Sequence, residues 1–288
     1  MPFQSLSDSI LWKVRCGMLS DASAVFTKDN LDTYLKELAK EFRKLNGKAM
    51  PAEIVLIGGA AILANYGFRE MTTDIDAVIQ AASSMKDAIN HVGDKYGLPS
   101  GWLNADFMRT GSYSPMLFEV SVPYRTFSNV LAIRTVSAEY LIAMKLRSGR
   151  KYKNDLSDII GILAEHEKLN APITIESIDL AAQKLYGGWN DVPPDSKQFI
   201  EEVIRTGNYA DVYASVCEEE KQTKAALIQF EKDYPHAATE SNVNEILANL
   251  KAKQRNEQKP SVRAKLNQHK AEAEKAERKK AHNKNMER

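Results

Sequence analysis

The chain has 288 residues, with 39 Lys/Arg against 38 Asp/Glu, 43% hydrophobic and 27% charged residues. This composition suits one large or two modest soluble domains with proper cores, and no apolar run reaches the roughly 20 residues of a membrane helix. Two distant cysteines, Cys16 and Cys217, and five histidines without ligand spacing argue against a disulfide framework, a zinc cluster or a histidine-centred hydrolase.

The first residues lack a basic start followed by an apolar stretch and a cleavage site, so no secretory signal is expected and a cytoplasmic location is. Residues 1–26 read as a short helix or irregular lead-in. Thr27 is placed to cap a helix whose Leu31, Tyr34, Leu35, Leu38, Phe42 and Leu45 recur at helical spacing until Gly47. An apolar strand over 54–58 follows and ends in Gly58-Gly59, where a short helix running to Tyr66 begins. Residues 67–72 are a loop into a second apolar strand, 74–79. Ser83 to Lys95 is helical, 97–101 is a loop, Leu117–Val122 and Val130–Arg134 alternate like strands, and Ser137–Ser148 is a helix. After the basic stretch Arg147 to Lys153, Leu156, Ile159, Ile160 and Leu163 mark another helix, to about His166.

Beyond Pro172 the pattern is helical: about 174–186, 195–206, 209–232 and 240–250. Residues 251–288 carry 13 Lys/Arg against 5 Glu and almost no large apolar side chains, so they form an isolated polar helix or stay disordered, while the rest carries 26 basic against 33 acidic residues. The expected division is an α/β domain over 1–170, a helical domain over 171–250 and the basic tail.

Asp74 and Asp76 are the most informative residues. Side chains alternate along a strand, so the two carboxylates share a face while Ile75 and Ala77 turn to the core. Aspartate is depleted in strands. Two on one face repel unless a cation lies between them, and Mg2+ or Mn2+ suits oxygen ligands. Gly58-Gly59 brings backbone close enough to donate N–H bonds to a phosphate. The plain readings are a tight turn at the glycines, a turn residue at Asp74 and an exposed edge carboxylate at Asp76.

Three blocks, Ile57-Gly58-Gly59-Ala60-Ala61, Thr72-Thr73-Asp74-Ile75-Asp76, and Ala143-Met144-Lys145 through Lys153-Asn154-Asp155-Leu156-Ser157-Asp158, resemble the nucleotidyltransferase superfamily of polymerase-beta-like fold. Within it the chain looks most like bacterial nucleotidyltransferases related to AbiEii-type abortive-infection toxins. The resemblance covers about residues 50–170. It implies a mixed sheet flanked by helices, an all-helical C-terminal region, and metal-dependent transfer of NMP from an NTP with release of pyrophosphate. It implies Asp74 and Asp76 as metal ligands, Gly58 and Gly59 at the triphosphate, and Lys145 reaching the β- and γ-phosphates. A third acid from a later strand is implied: Glu119 in Leu117–Val122 fits, and Asp106 competes. Asp155 and Asp158 are either chemical groups of the Lys-to-Asp block or a helix cap and first-turn acid. Trp102, Phe107 and Tyr113 either stack on a base or cover the core.

The implied acceptor is tRNA or another RNA, with the basic tail as a phosphate-gripping surface, and the implied setting is a toxin–antitoxin or phage-defence pair with an antitoxin partner. NMP transfer to a small molecule or protein, or a degenerate nucleotide-binding module, are the competing readings. No membrane partner is expected.

Overall fold

A computed structural model describes residues 25–150, 153–239 and 241–258. The expected lead-in over 1–24, Lys151 of the basic stretch and residues 259–288 of the tail lie outside the described residues. The chain forms two compact units, one up to His236 and one from Ala237.

In the first unit, β1 (Phe26–Thr27) leads into α1 (Lys28–Asn46), which starts where the sequence places its cap: the Thr27 N–H donates to Asn30 Oδ1 at 2.9 Å. The buried stripe Leu31, Leu35, Leu38 and Phe42 follows the helical period. Gly47 takes φ 72° and stops the helix, a conformation that β-carbons disfavour. The order then runs β2 (Ala52–Leu56), α2 (Gly58–Asn65), β3 (Met71–Thr72), β4 (Ile75–Gln80), α3 (Met85–Tyr96) and β5 (Leu103–Asn104), followed by a 3-10 turn at Asp106–Arg109. Next come α4 (Leu117–Val120), β6 (Ser121–Phe127), β7 (Leu131–Val136), α5 (Ala138–Ser148) and α6 (Asp155–Lys168). Helices α7 (Ile175–Tyr186), α8 (Pro194–Thr206) and α9 (Tyr209–Asp233) complete the unit.

The architecture is mixed α/β. Five strands form a mixed sheet in the order β5-β4-β2-β7-β6. Strand β2 is central, antiparallel to β4 (Leu56 opposite Ala77) and parallel to β7 (Val55 opposite Arg134). Its Ile54, Val55 and Leu56 are fully buried, which explains their unbroken apolar run. Strand β5 runs parallel to β4 and sets Asn104 opposite Asp76. Strands β6 and β7 form a hairpin through Ser128 and Asn129, both at positive φ, with the Val130 N–H donating to the Phe127 carbonyl at 3.2 Å. Strand β3 pairs with β1 instead, tying the segment before Asp74 to the start of α1.

Helix α5 packs on α6, α7 and α8, and α6 packs on α9, so the helical region past Pro172 is built directly onto the two helices that follow the sheet. The second unit contains α10 (Val243–Gln258), so the first residues of the expected tail are helical.

One expected strand is corrected. Residues 117–120 form a helical turn, and only 121–127 are extended. Ser114 sets this up: its Oγ accepts the Met116 N–H at 3.3 Å and its carbonyl accepts the Leu117 N–H at 3.2 Å. Leu-Phe-Glu-Val is too short for its alternation to discriminate strand from turn. Trp102 is likewise a core residue, 2% exposed, with Nε1 donating to the Ile89 carbonyl at 3.0 Å and its ring stacked with Phe26, which takes it out of any base-stacking role.

Candidate functional site

The site begins at the turn between β2 and α2. Ile57 is extended, and its N–H donates to the Asp76 carbonyl at 3.1 Å, which locks the corner to β4. Gly58 opens the helix at φ 55°, where a side chain is strained. A Cβ built on Gly58 would lie 3.9 Å from Asp76 Oδ2, so that carboxylate stands beside the glycine corner.

Asp74 and Asp76 flank Ile75, and Ile75 and Ala77 are fully buried while both aspartates are half-buried. Strand β4 begins at Ile75, one residue later than the sequence suggests, so Asp76 lies on the strand opposite the face of Ile75 and Ala77, and Asp74 lies in the turn just before it. Thr72 Oγ1 donates to the Asp74 carbonyl at 3.2 Å and lies 3.5 Å from Asp74 Oδ1. The same hydroxyl would stand 2.6 Å from a Cβ on Gly59. Asp74, Thr72 and Gly59 thus meet at one point, and Gly58 with Asp76 lies next to it.

A buried charge cluster adjoins this corner. Lys145 on α5 reaches Asp155 Oδ1 at 2.9 Å and Asp158 Oδ2 at 2.7 Å, both on the first turn of α6. Burial alone would lower the Lys145 pKa, but Asp155 and Asp158 outweigh it and hold the ammonium above its ordinary range. Burial likewise pushes the Asp155 carboxyl up, and Lys145 with Arg150 more than reverses that, leaving it well below the usual carboxylate range. Arg150 grips Asp155 through Nε at 2.9 Å and Nη2 at 3.3 Å. Lys145 is therefore held between two carboxylates in the interior, and Asp155 and Asp158 serve as its partners.

Two residues that sequence patterning did not single out, Arg69 and Glu220, join the picture, and Lys153 takes a more specific place in it. Arg69 pairs with Asp158 and donates from Nε to the Met71 carbonyl at 3.1 Å, so it bridges the cluster to the segment leading into Asp74. Glu220, reaching in from α9, accepts the Leu156 and Ser157 N–H groups at 3.0 and 3.2 Å and so caps α6. Its burial, with Asp158 acting in the same sense, pushes its pKa up to about 7 despite those hydrogen bonds. Lys153, read from sequence only as part of a basic surface, is half-buried within electrostatic reach of Asp74, Asp76 and Asp155. Burial and Arg150 lower its pKa, and the three carboxylates pull the other way.

The remaining candidates lie elsewhere. Glu119 is exposed and ion-paired with Lys184 on α7. It sits on the helical turn before β6, a strand that lies three places across the sheet from β4, roughly 14 Å at about 4.8 Å per strand. Its partner in the structure is Lys184 and not a group of the glycine corner. Asp106 follows β5, the strand beside β4, and sits on a 3-10 turn 3.9 Å from Arg109. Among the described residues no three His, Cys, Asp or Glu side chains gather as a metal-binding group. Arg147 does not extend a basic face: it donates from Nε to the Gly111 carbonyl, pairs with Asp191 at 3.2 Å and lies over the Tyr186 ring at 4.5 Å.

Residues 33–167, just under half of the chain, match the family described as nucleotidyltransferase of unknown function (DUF6036). The match supports the nucleotidyltransferase superfamily for that part of the chain, and its span holds the corner, both aspartates, Lys145, Asp155 and Asp158. No curated protein and no solved structure matches the chain. Among the described residues no helix is long and apolar enough to cross a membrane.

Proposed function

We propose that the protein transfers a nucleoside monophosphate from an NTP to an acceptor hydroxyl in a reaction that depends on a divalent cation. The observation that carries this reading is the Gly58 corner, where a Cβ would lie 3.9 Å from Asp76 Oδ2 on β4, with Asp74 just before that strand beside Thr72. The donor set fits Mg2+ or Mn2+: two carboxylates, with the other positions left to phosphate oxygens and water, the usual composition of a magnesium–nucleotide site. Asp74 and Asp76 would hold the ion, which when bound offsets charge developing on the transferred phosphoryl group.

In the reaction the acceptor oxygen forms a bond to the α-phosphorus and the bond from that phosphorus to the bridging α–β oxygen breaks, so pyrophosphate leaves. The acceptor proton passes to a carboxylate of the site or to water. Gly58 lets the phosphate chain approach the backbone. Lys153 offers a cation beside the aspartates. Lys145, Asp155 and Asp158 hold the second half of the site in place. Of the two further acids, Asp106 rather than Glu119 is proposed on the acceptor side, as a proton-accepting carboxylate and not as a ligand of the ion, because β5 lies beside β4 and β6 does not.

The acceptor proposed is tRNA or another RNA, and the biological role a toxin or phage-defence component related to AbiEii-type enzymes, with an antitoxin as partner. This rests on the resemblance of the sequence blocks and on the basic charge of 251–288. The test is incubation of the protein with each α-labelled NTP and total RNA, beside Asp74→Ala/Asp76→Ala. Label on RNA that depends on both aspartates is expected. Label on protein or in the small-molecule fraction would redirect the acceptor. No transfer with any NTP, or equal transfer by the double variant, would overturn the catalytic reading.

A further inference from the structure

We infer that Arg69 is a phosphate-contacting residue of this site, and that position 59 is glycine to make room for its guanidinium. The inference rests on the nucleotidyl-transfer reading above. Gly58 is explained by its left-handed backbone, but Gly59 has no such φ, so conformational freedom does not account for it. A Cβ on Gly59 would lie 2.9 Å from Arg69 Nη2 and 3.2 Å from Cζ, besides 2.6 Å from Thr72 Oγ1. The space a side chain would fill is taken by the guanidinium edge and a hydroxyl.

Two of the three guanidinium nitrogens are fixed. Nε donates to the Met71 carbonyl and Nη1 pairs with Asp158. The base of the side chain is anchored too, because the preceding Phe68 ring packs against the bare face of Gly161 and edge-on to Tyr213. Together these contacts leave Nη2 over Gly59, one residue from the position whose Cβ would face Asp76 Oδ2. Nη2 has no protein acceptor among the described residues, although the side chain is only 16% exposed. A donor edge left open in a fixed plane suits phosphate oxygens, which accept from a guanidinium fork better than a neutral group does. Arg69 would thus meet the phosphate chain at the Gly59 side of the corner, beside Thr72 and Asp74.

The experiment is calorimetric titration of the full chain with magnesium and inorganic tripolyphosphate, then with each magnesium-NTP. It compares wild type, Arg69→Gln, Arg69→Lys, Gly59→Ala and Gly59→Ala/Arg69→Gln, with thermal melts to verify folding. Loss of one charge-assisted contact gives a weakening of about 10- to 100-fold in Arg69→Gln. Arg69→Lys, which keeps the charge and loses the fork, recovers part of it. Gly59→Ala displaces the guanidinium, so it weakens binding by itself, and the double variant is no weaker than the poorer single. Folded Arg69→Gln binding tripolyphosphate like wild type, or a double variant whose losses simply add, would overturn the inference. Should Arg69→Gln not fold, wild-type affinity in Arg69→Lys would overturn it instead. Wild type that binds no NTP overturns the nucleotidyl-transfer reading with it, whereas wild type that binds and transfers label, with Arg69→Gln unaffected, overturns the role of Arg69 alone.

Discussion

Replacing Lys145 with methionine should destabilise the protein by about 3 kcal/mol, the lower end of the cost of removing one member of a buried ion pair. The side chains of Lys145, Asp155 and Asp158 are 8%, 2% and 5% exposed, so the two carboxylates would be left as like charges with little solvent. The lower end applies because each keeps one cation, Arg150 on Asp155 and Arg69 on Asp158. Methionine preserves most of the volume, which keeps a cavity term small. Urea denaturation at pH 7, compared at constant m-value, measures the change. Adding Asp158→Asn to Lys145→Met should recover part of the loss by removing one stranded charge.

The pH dependence has a definite sign. Asp155 is depressed from an ordinary 3.8, so its contribution is present above that value and is lost as pH falls through the lower folded-state value. Lys145 is raised above 10.5, so its contribution is present below 10.5 and is lost only at higher pH. Wild type should therefore lose cluster stability at the acid end, and Lys145→Met should flatten that limb. A Lys145→Met protein within about 1 kcal/mol of wild type at pH 7, with an unchanged acid limb, would refute the assignment of Lys145 to a buried structural pairing.

Glu220 should act in a different window. Its carboxyl is raised from 4.5 to about 7, so the folded state binds more proton than the unfolded state between those values and stability falls as pH rises. Glu220→Gln, which can still accept the Leu156 and Ser157 N–H groups, should remove that slope and gain about 2–3 kcal/mol at pH 8 by urea denaturation; an unaltered slope would contradict the assignment. Gly161→Ala would drive a methyl to 2.4 Å from the Phe68 ring and should cost about 1–3 kcal/mol as overpacking, visible as a lower melting temperature; an unchanged one would contradict the close contact. Glu119→Ala removes an exposed pair and should cost less than about 1 kcal/mol while leaving label transfer at the wild-type level. A loss of transfer comparable to that of Asp74→Ala would return Glu119 to the site.

The parts of the fold legible in the sequence were those governed by local chemistry. Thr27 and Gly47 bracket α1, and the buried β2 and β4 show as the apolar runs over residues 54–56 and 77–79. Boundaries shifted by about two residues where glycine serves strand end and helix start alike: β2 ends at Leu56, and α2 takes in both Gly58 and Gly59. What stayed hidden depends on partners distant in sequence. Glu220 lies 64 residues from Leu156, whose N–H it accepts, and nothing in its own neighbourhood marks it as a cap. Arg69 sits in a loop of ordinary composition, and only the meeting of that loop with α6 gives it Asp158, 89 residues away. Glu119 misled because four residues of alternation carry no information about whether Ser114 starts a turn.

The most direct test of the central claim is Mn2+ binding followed by electron paramagnetic resonance, with each NTP supplied as its non-hydrolysable α,β-methylene analogue. Wild type should show one saturable nucleotide-dependent site, and Asp74→Asn/Asp76→Asn should bind the ion at least about tenfold more weakly while remaining folded. A double variant that binds manganese and nucleotide as tightly as wild type would contradict the assignment of these two carboxylates to the cation.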